Sequence, residues 1–212
     1  MGGGAAGAAG TAGAGGTSGV AGAGGSTSTG GTSAGGGSAG VGGISGQTGA
    51  SGSGGGAGSG AAITMKLFGS PTATQWIYVT LQITNTGTTA VPLAELTVRY
   101  WYTYDTTPIV AQADMCAYSM PGGICTNTTR SWGAVTPGRT MADSYYQVAF
   151  TAAAGNLTPG ATVEFQLAFH KNDWTTFTQT NDYSFNGATA FTTTTKVTAY
   201  RAGVLIYGTE PQ

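Results

Sequence analysis

The stretch HKNDWTTFTQTNDYSF, residues 170–185, gathers the side chains best suited to chemistry in this 212-residue chain. It holds the one histidine, His170, and an indole, Trp174, set among turn-forming residues with neither a helical nor a sheet period to bury it. Asn-Asp pairs stand at 172–173 and 181–182, with threonines between them. Such oxygens either cap turns through local hydrogen bonds or ligate a hard cation. A large aromatic kept out of the core calls for a use at the surface. Acyl transfer would need a nucleophile beside a base, and no motif after His170 places a serine against it. Glycoside hydrolysis would need two carboxylates facing each other across a cleft, and the eight acidic residues show no such pairing. The expected chemistry is binding, not catalysis.

The elements that must position these residues read as strands. In QWIYVTLQIT (75–84), Ile77, Val79, Leu81 and Ile83 share one face at period two, and Asn-Thr-Gly (85–87) supplies a turn. In LTVRYWYT (96–103), Leu96, Val98, Tyr100 and Tyr102 alternate with Thr97, Arg99, Trp101 and Thr103. ATVEFQLAFH (161–170) sends Val163, Phe165, Leu167 and Phe169 inward and Glu164, Gln166, Ala168 and His170 outward. Runs at 144–151, 196–201 and 203–207 look alike, and no segment has a convincing helical period. The fold class is all-β: an antiparallel β-sandwich of short strands joined by Gly, Pro and Asn turns.

Composition divides the chain in two. Residues 1–62 hold 28 of the 39 glycines, with no charge and no aromatic. They cannot bury enough apolar surface to offset backbone entropy, so a disordered Gly/Ala/Ser/Thr linker is expected there, followed by one domain over 63–212. The seven basic and eight acidic residues all fall in the second part. So even a balance argues against nucleic acid or an anionic membrane as partner, and no apolar run reaches membrane-spanning length. Met1 leads straight into glycine, so no signal peptide is expected within this sequence. The simplest reading is the tail of a longer secreted protein, expected to be a monomer. Cys116 and Cys125 are too few for a zinc site with a lone histidine. They form either a short-range disulfide, which would fit an extracellular protein, or two buried thiols.

Three blocks, NTGTTAVPLAELTVRYWYTYD (85–105), LTPGATVEFQLAFHKNDWTTFTQTNDYSF (157–185) and KVTAYRAGVLIYGTEP (196–211), carry a resemblance. They resemble the family-3 carbohydrate-binding modules of bacterial cellulases and cellulosome scaffolds, most specifically through KNDW followed by T-x-x-ND-Y-S-F. The resemblance covers most of 63–211 and weakens over 106–140. It implies a nine-stranded jelly-roll sandwich, a structural Ca2+ and a flat face that adsorbs to cellulose. It places the ion at Thr103, Asp105, Thr178, Asn181 and Asp182, a donor set that suits a hard cation. It makes Trp174 one ring of the flat face, where an indole can lie against the apolar side of a pyranose.

Tyr118 sits near the place of a second ring. Between it and Cys116 the family has an aspartate where this chain has Ala117, and the arginine that would pair with it is replaced by Ala168. The contact would then rest on Trp174 and Tyr118 with polar neighbours Gln166 and His170, and Asp114 is a candidate replacement carboxylate. On the opposite sheet Arg99, Trp101, Tyr145, Gln147 and Tyr183 match a shallow groove, or else pack the sandwich edge. The implied role is a cellulose-targeting module for a linked enzyme or scaffold, with a related β-glucan or chitin as other surfaces. The alternatives are an accessory to a catalytic domain that has lost crystalline-cellulose binding, and an extracellular sensing or structural domain.

Overall fold

Apolar alternation becomes strand at Ile63–Phe68, Trp76–Asn85, Leu96–Tyr102, Ala142–Phe150 and Thr162–Lys171. The computed structural model describes residues 62–107 and 109–212, and the expected linker lies, but for its last residue, outside them. The chain divides into two units, Met1–Gly52 and Ser53–Gln212, and every element below belongs to the second. The strands are β1 (Ile63–Phe68), β2 (Ala73–Thr74), β3 (Trp76–Asn85), β4 (Val91–Pro92), β5 (Leu96–Tyr102), β6 (Gln112–Met120) and β7 (Thr128–Arg139). They continue as β8 (Ala142–Phe150), β9 (Asn156–Leu157), β10 (Thr162–Lys171), β11 (Phe177–Thr178), β12 (Thr192–Thr193), β13 (Thr198–Arg201) and β14 (Val204–Tyr207). The helical segments among the described residues are single 3-10 turns.

Two five-stranded antiparallel sheets face each other, with strand orders β12-β1-β3-β10-β6 and β14-β13-β5-β8-β7. Two small pairs, β2 with β11 and β4 with β9, close the ends. The alternating jelly-roll sandwich is therefore as expected, with the two-residue β12 and the small pairs too short to show as periodicity. The core lies between the sheets. Ile77, Val79, Leu81 and Ile83 of β3 and Val163, Phe165, Leu167 and Phe169 of β10 meet Val98, Tyr100 and Tyr102 of β5 and Tyr146, Val148 and Phe150 of β8. Each such side chain contributes roughly 1.5–3 kcal/mol of burial.

Strand β6 breaks the alternation. Opposite β10 the register runs Gln166↔Tyr118, Leu167↔Cys116 and Ala168↔Met115, so Ala117 is an extra, unpaired residue. A bulge of this kind reverses the facing of everything beyond it. Met115 and Tyr118, three apart, come to the same outer face. Cys116 and Cys125 are joined in a disulfide with Cα atoms 5.5 Å apart, which closes the loop after Tyr118 and settles the choice against free thiols.

Candidate functional site

Registers place the outward side chains of the first sheet in rows that cross the strands. One row is Trp76, His170 and Ala113; the next is Tyr78, Ala168 and Met115. Then come Phe68, Thr80, Gln166 and Tyr118, next Lys66, Gln82, Glu164 and Met120, and last Thr64, Thr84 and Thr162. Strands lie about 4.8 Å apart and alternate residues about 6.8 Å along a strand, so these rows tile one continuous surface. Of the ten exposed large hydrophobic residues among those described, Phe68, Tyr78, Met115, Tyr118, Met120 and Trp174 lie on this face. That concentration distinguishes a docking surface from the scattered apolar residues of an ordinary exterior.

Trp174 stands in the turn just after β10, at φ +60, a left-handed conformation unfavourable for a residue with a Cβ. Its amide donates to the Lys171 carbonyl at 3.0 Å, and its own carbonyl accepts from Gln75 Nε2 at 2.7 Å. One face of the indole stacks on the His170 imidazole, with centroids 3.9 Å apart and planes 13° apart. The Trp76 ring abuts both, at 4.4 Å from His170 and 5.8 Å from Trp174. The indole stays 47% exposed. His170 is nearly buried beneath it, with Nδ1 2.8 Å from the Lys171 carbonyl oxygen. The histidine is thus a support for the indole and not itself an open contact.

Tyr118 is 41% exposed on the same face, and Gln166 beside it donates to Thr80 Oγ1 at 3.3 Å. Asp114 does not join them. It pairs with the inward Phe169, and its carboxylate accepts from the Tyr146 hydroxyl at 2.5 Å and from the Arg130 guanidinium. A residue four before Tyr118 would share its side without the bulge on β6; the bulge sends it to the interior. Its proposed role as a surface carboxylate is corrected accordingly. Trp76 and Tyr78 are equally part of the face, and the inward apolar set of β3 alone does not reveal them. Their alternation with Ile77 and Val79 was the available signal.

At the end of the sandwich, two loops meet through the residues expected to hold a cation. The Thr103 amide donates to Asp182 Oδ1 at 2.8 Å and the Thr103 hydroxyl to the Asn181 carbonyl at 2.9 Å. Asp105 accepts from the Thr178 amide and from Asn181 Nδ2, both at 2.7 Å. Asp182 is 1% exposed, and its Oδ2, like Asn181 Oδ1, is buried without a hydrogen-bond partner. Burial, with Asp105 and Asp143 nearby, pushes the Asp182 carboxyl up to about 8, against the pull of the Thr103 amide. A buried acid with an orphaned oxygen beside other carboxylates is a site that a hard cation would relieve. The residues fit calcium. No group of three or more His, Cys, Asp or Glu among the described residues forms a metal cluster, so any site here is of mixed oxygens. Asp143, which accepts from the Tyr104 amide at 2.8 Å, is an electrostatic neighbour that the sequence reading missed.

On the second sheet, Arg99 lies over the Tyr145 and Tyr200 rings at 4.5 and 4.6 Å, and its Nε donates to Gln147 Oε1 at 2.9 Å. Thr97, Arg99, Gln147, Tyr200, Gly203 and Glu210 line a hollow of about 410 Å³. Trp101 is 3% exposed, its Nε1 donating to Thr198 Oγ1, and it packs with Tyr200 and Ala142 against Tyr145 and Tyr183. The five expected groove residues therefore divide: Trp101 belongs to a small second core, while Arg99 and Gln147 face the hollow. Gly133 allows the close packing, since a Cβ there would stand 2.2 Å from the Tyr145 ring.

A family model described as a cellulose binding domain matches residues 62–208. The chain is similar to Exoglucanase-2 of Thermoclostridium stercorarium, 43% identical over 131 residues that make 61% of this chain and 14% of that protein. It is 39% identical to cellulosomal-scaffolding protein A of Acetivibrio thermocellus over 140 residues, 61% of this chain and 7% of that one. Among solved structures it superposes on biomass sensing modules from putative RsgI-like proteins of Clostridium thermocellum, which resemble the family 3 carbohydrate-binding module of the cellulosome. The TM-score is 0.66 at 35% identity, over 71% of this chain and 99% of that one. The chain thus spans a small fraction of the curated relatives' own length and nearly the whole of the solved module.

Proposed function

The chain belongs to the family-3 carbohydrate-binding modules, and from that membership we propose that the outer face of its first sheet adsorbs to cellulose and brings a linked enzyme or scaffold to that surface. The folded part is a binding module, not a catalyst. The observation that carries the reading is the clustering of exposed rings and methionines on one sheet face. A flat polymer needs such a platform, whereas a single dissolved chain would need a cleft. Trp174, Tyr118 and Gln166 make the contact, and His170 holds the indole in place. Tethering by the Gly-rich segment would convert adsorption into a raised local concentration of the attached partner. Secretion fits the disulfide, and no helix among the described residues is long and apolar enough to cross a membrane.

Calcium is the proposed resident ion. Thr103, Asp105, Thr178, Asn181 and Asp182 would hold it, with a structural role: it would neutralise the buried carboxylate and staple the loop after β5 to the loop after β11. The groove residues Arg99, Tyr145, Gln147 and Tyr183 are proposed as a second, weaker contact for a single polar chain, with Trp101 as its buried floor. The test of the main reading is depletion of the protein from solution by microcrystalline cellulose, wild type beside Trp174→Ala. Wild type should partition to the solid and the variant should stay largely in solution. A wild type that remains in the supernatant would sink the reading.

A further inference from the structure

We propose that Tyr78 is a third sugar-stacking ring, and that with Met115 it makes the middle of the binding face an uncharged, apolar contact selective for neutral polysaccharide. The inference rests on the cellulose-adsorption reading and names the chemistry by which the same face takes its ligand.

Ala168 points to the solvent side of β10 but is only 1% exposed. Its neighbours in register are Tyr78 on β3 and Met115 on β6, and a side chain as short as alanine is covered by what flanks it. Both flanking residues remain open, Tyr78 at 40% and Met115 at 46%. This row lies between the Trp76–His170–Trp174 cluster and the Gln166–Tyr118 row, one step of about 6.8 Å from each. A small residue at 168 is what allows a large one at 78 to lie across the middle of the sheet. Tyr78 therefore stands in the row between the indole cluster at one end and the Tyr118 row at the other.

Charge distribution points the same way. The three rows from Trp76 to Tyr118 contain no carboxylate, ammonium or guanidinium group. Lys66 and Glu164 stand in the row beyond these three, and the Glu164 carboxylate is already engaged by Gln82 Nε2 at 2.7 Å. Asp173, in the turn beside Trp174, is engaged by the Thr175 amide and hydroxyl. A ligand meeting this surface finds rings, thioethers and amide groups. Neutral sugars with apolar ring faces suit it, and binding should depend on buried area more than on ionic attraction.

Depletion isotherms on microcrystalline cellulose test this for wild type, Trp174→Ala, Tyr78→Ala and Tyr78→Phe, each at low and high salt. Tyr78→Ala should weaken the partition about five- to tenfold, in the range of an interface anchor. Tyr78→Phe should stay within about twofold, because the ring and not the hydroxyl makes the contact. Wild type should change by less than about twofold with salt, since no surface ion pair is there to be screened. Thermal melts of both Tyr78 variants close to wild type would show that the fold is kept. If Tyr78→Ala binds like wild type while Trp174→Ala does not, this inference falls and the adsorption reading stands. A steep loss with salt would likewise overturn it. If wild type does not adsorb at all, both fall together.

Discussion

The Tyr146 hydroxyl donates to the Asp114 carboxylate at 2.5 Å, reaching from the middle of one sheet to the edge strand of the other. That strand, β6, carries Tyr118 and Met115, so this bond ties the proposed binding face to the opposite sheet. The phenol is buried and donates to the carboxylate, and both effects push its own ionisation well above the ordinary tyrosine value. Arg130 completes the network from β7. Removing the acid by Asp114→Ala should cost about 3 kcal/mol, the penalty of leaving a charged donor and a phenol without their acceptor. Urea denaturation measures the loss. Adsorption of the still-folded variant at low temperature should remain within about twofold of wild type; a large loss there would return Asp114 to the contact surface.

His170 and Trp174 act as a pair. His170→Ala should leave the indole without its stacking partner and weaken adsorption about three- to tenfold, less than Trp174→Ala does. Replacement by phenylalanine, which keeps a flat ring under the indole, should recover most of the loss. Equal effects of His170→Ala and His170→Phe would mean that the imidazole touches the polymer itself.

The Cys116–Cys125 bridge closes a loop of ten residues beside Tyr118. In the chain-entropy model a loop of that size stabilises by about 2–3 kcal/mol. Reduction, or replacement of both cysteines by serine, should lower the unfolding free energy by that amount. Adsorption should weaken too as the Tyr118 segment loosens, by about twofold to fivefold. Unchanged adsorption would confine the bridge to a stabilising role.

Metal and pH are linked at Asp182. Burial lifts its carboxyl from the ordinary value of 3.8 to about 8, with Asp105 and Asp143 adding to the effect. A raised acid means that the folded chain keeps a proton the unfolded chain releases. This contribution is fully present below about pH 4 and is lost as pH rises toward 8. Calcium needs the ionised form, so its stabilising effect should grow across the same window. Melting temperatures taken with calcium and with chelator should differ more at pH 8 than at pH 5. A gap that is constant or reversed would remove Asp182 from the ion site.

The strand alternation of β3, β5 and β10 was legible in the chain because burying one face of a pleated strand requires period two. The inward sets of those three strands are the ones that meet in the core. Trp174 was legible as a surface ring because its neighbours are turn formers with no apolar period. The T-x-D and T-x-x-N-D loops were legible as oxygen donors, although whether they serve one site depends on two segments more than seventy residues apart coming together. The burial that lifts Asp182 and orphans its Oδ2 follows from that meeting, and a linear string does not contain it.

Facing on β6 depended on a single inserted residue. Simple alternation from Cys116 would turn both Tyr118 and Asp114 inward; the bulge at Ala117 turns Tyr118 outward and leaves Asp114 on the inner side with Cys116. Neighbourhood across strands was also hidden. Nothing in the sequence places Tyr78 and Met115 on either side of Ala168, ninety and fifty-three residues away, because cross-strand register is set by turns and bulges acting jointly. The chain alone determined which faces of the regular strands turn inward and which loops are rich in oxygen donors, since these follow from local period and composition. Tertiary structure decided which outward residues share one plane, because that depends on hydrogen-bond register between strands distant in sequence.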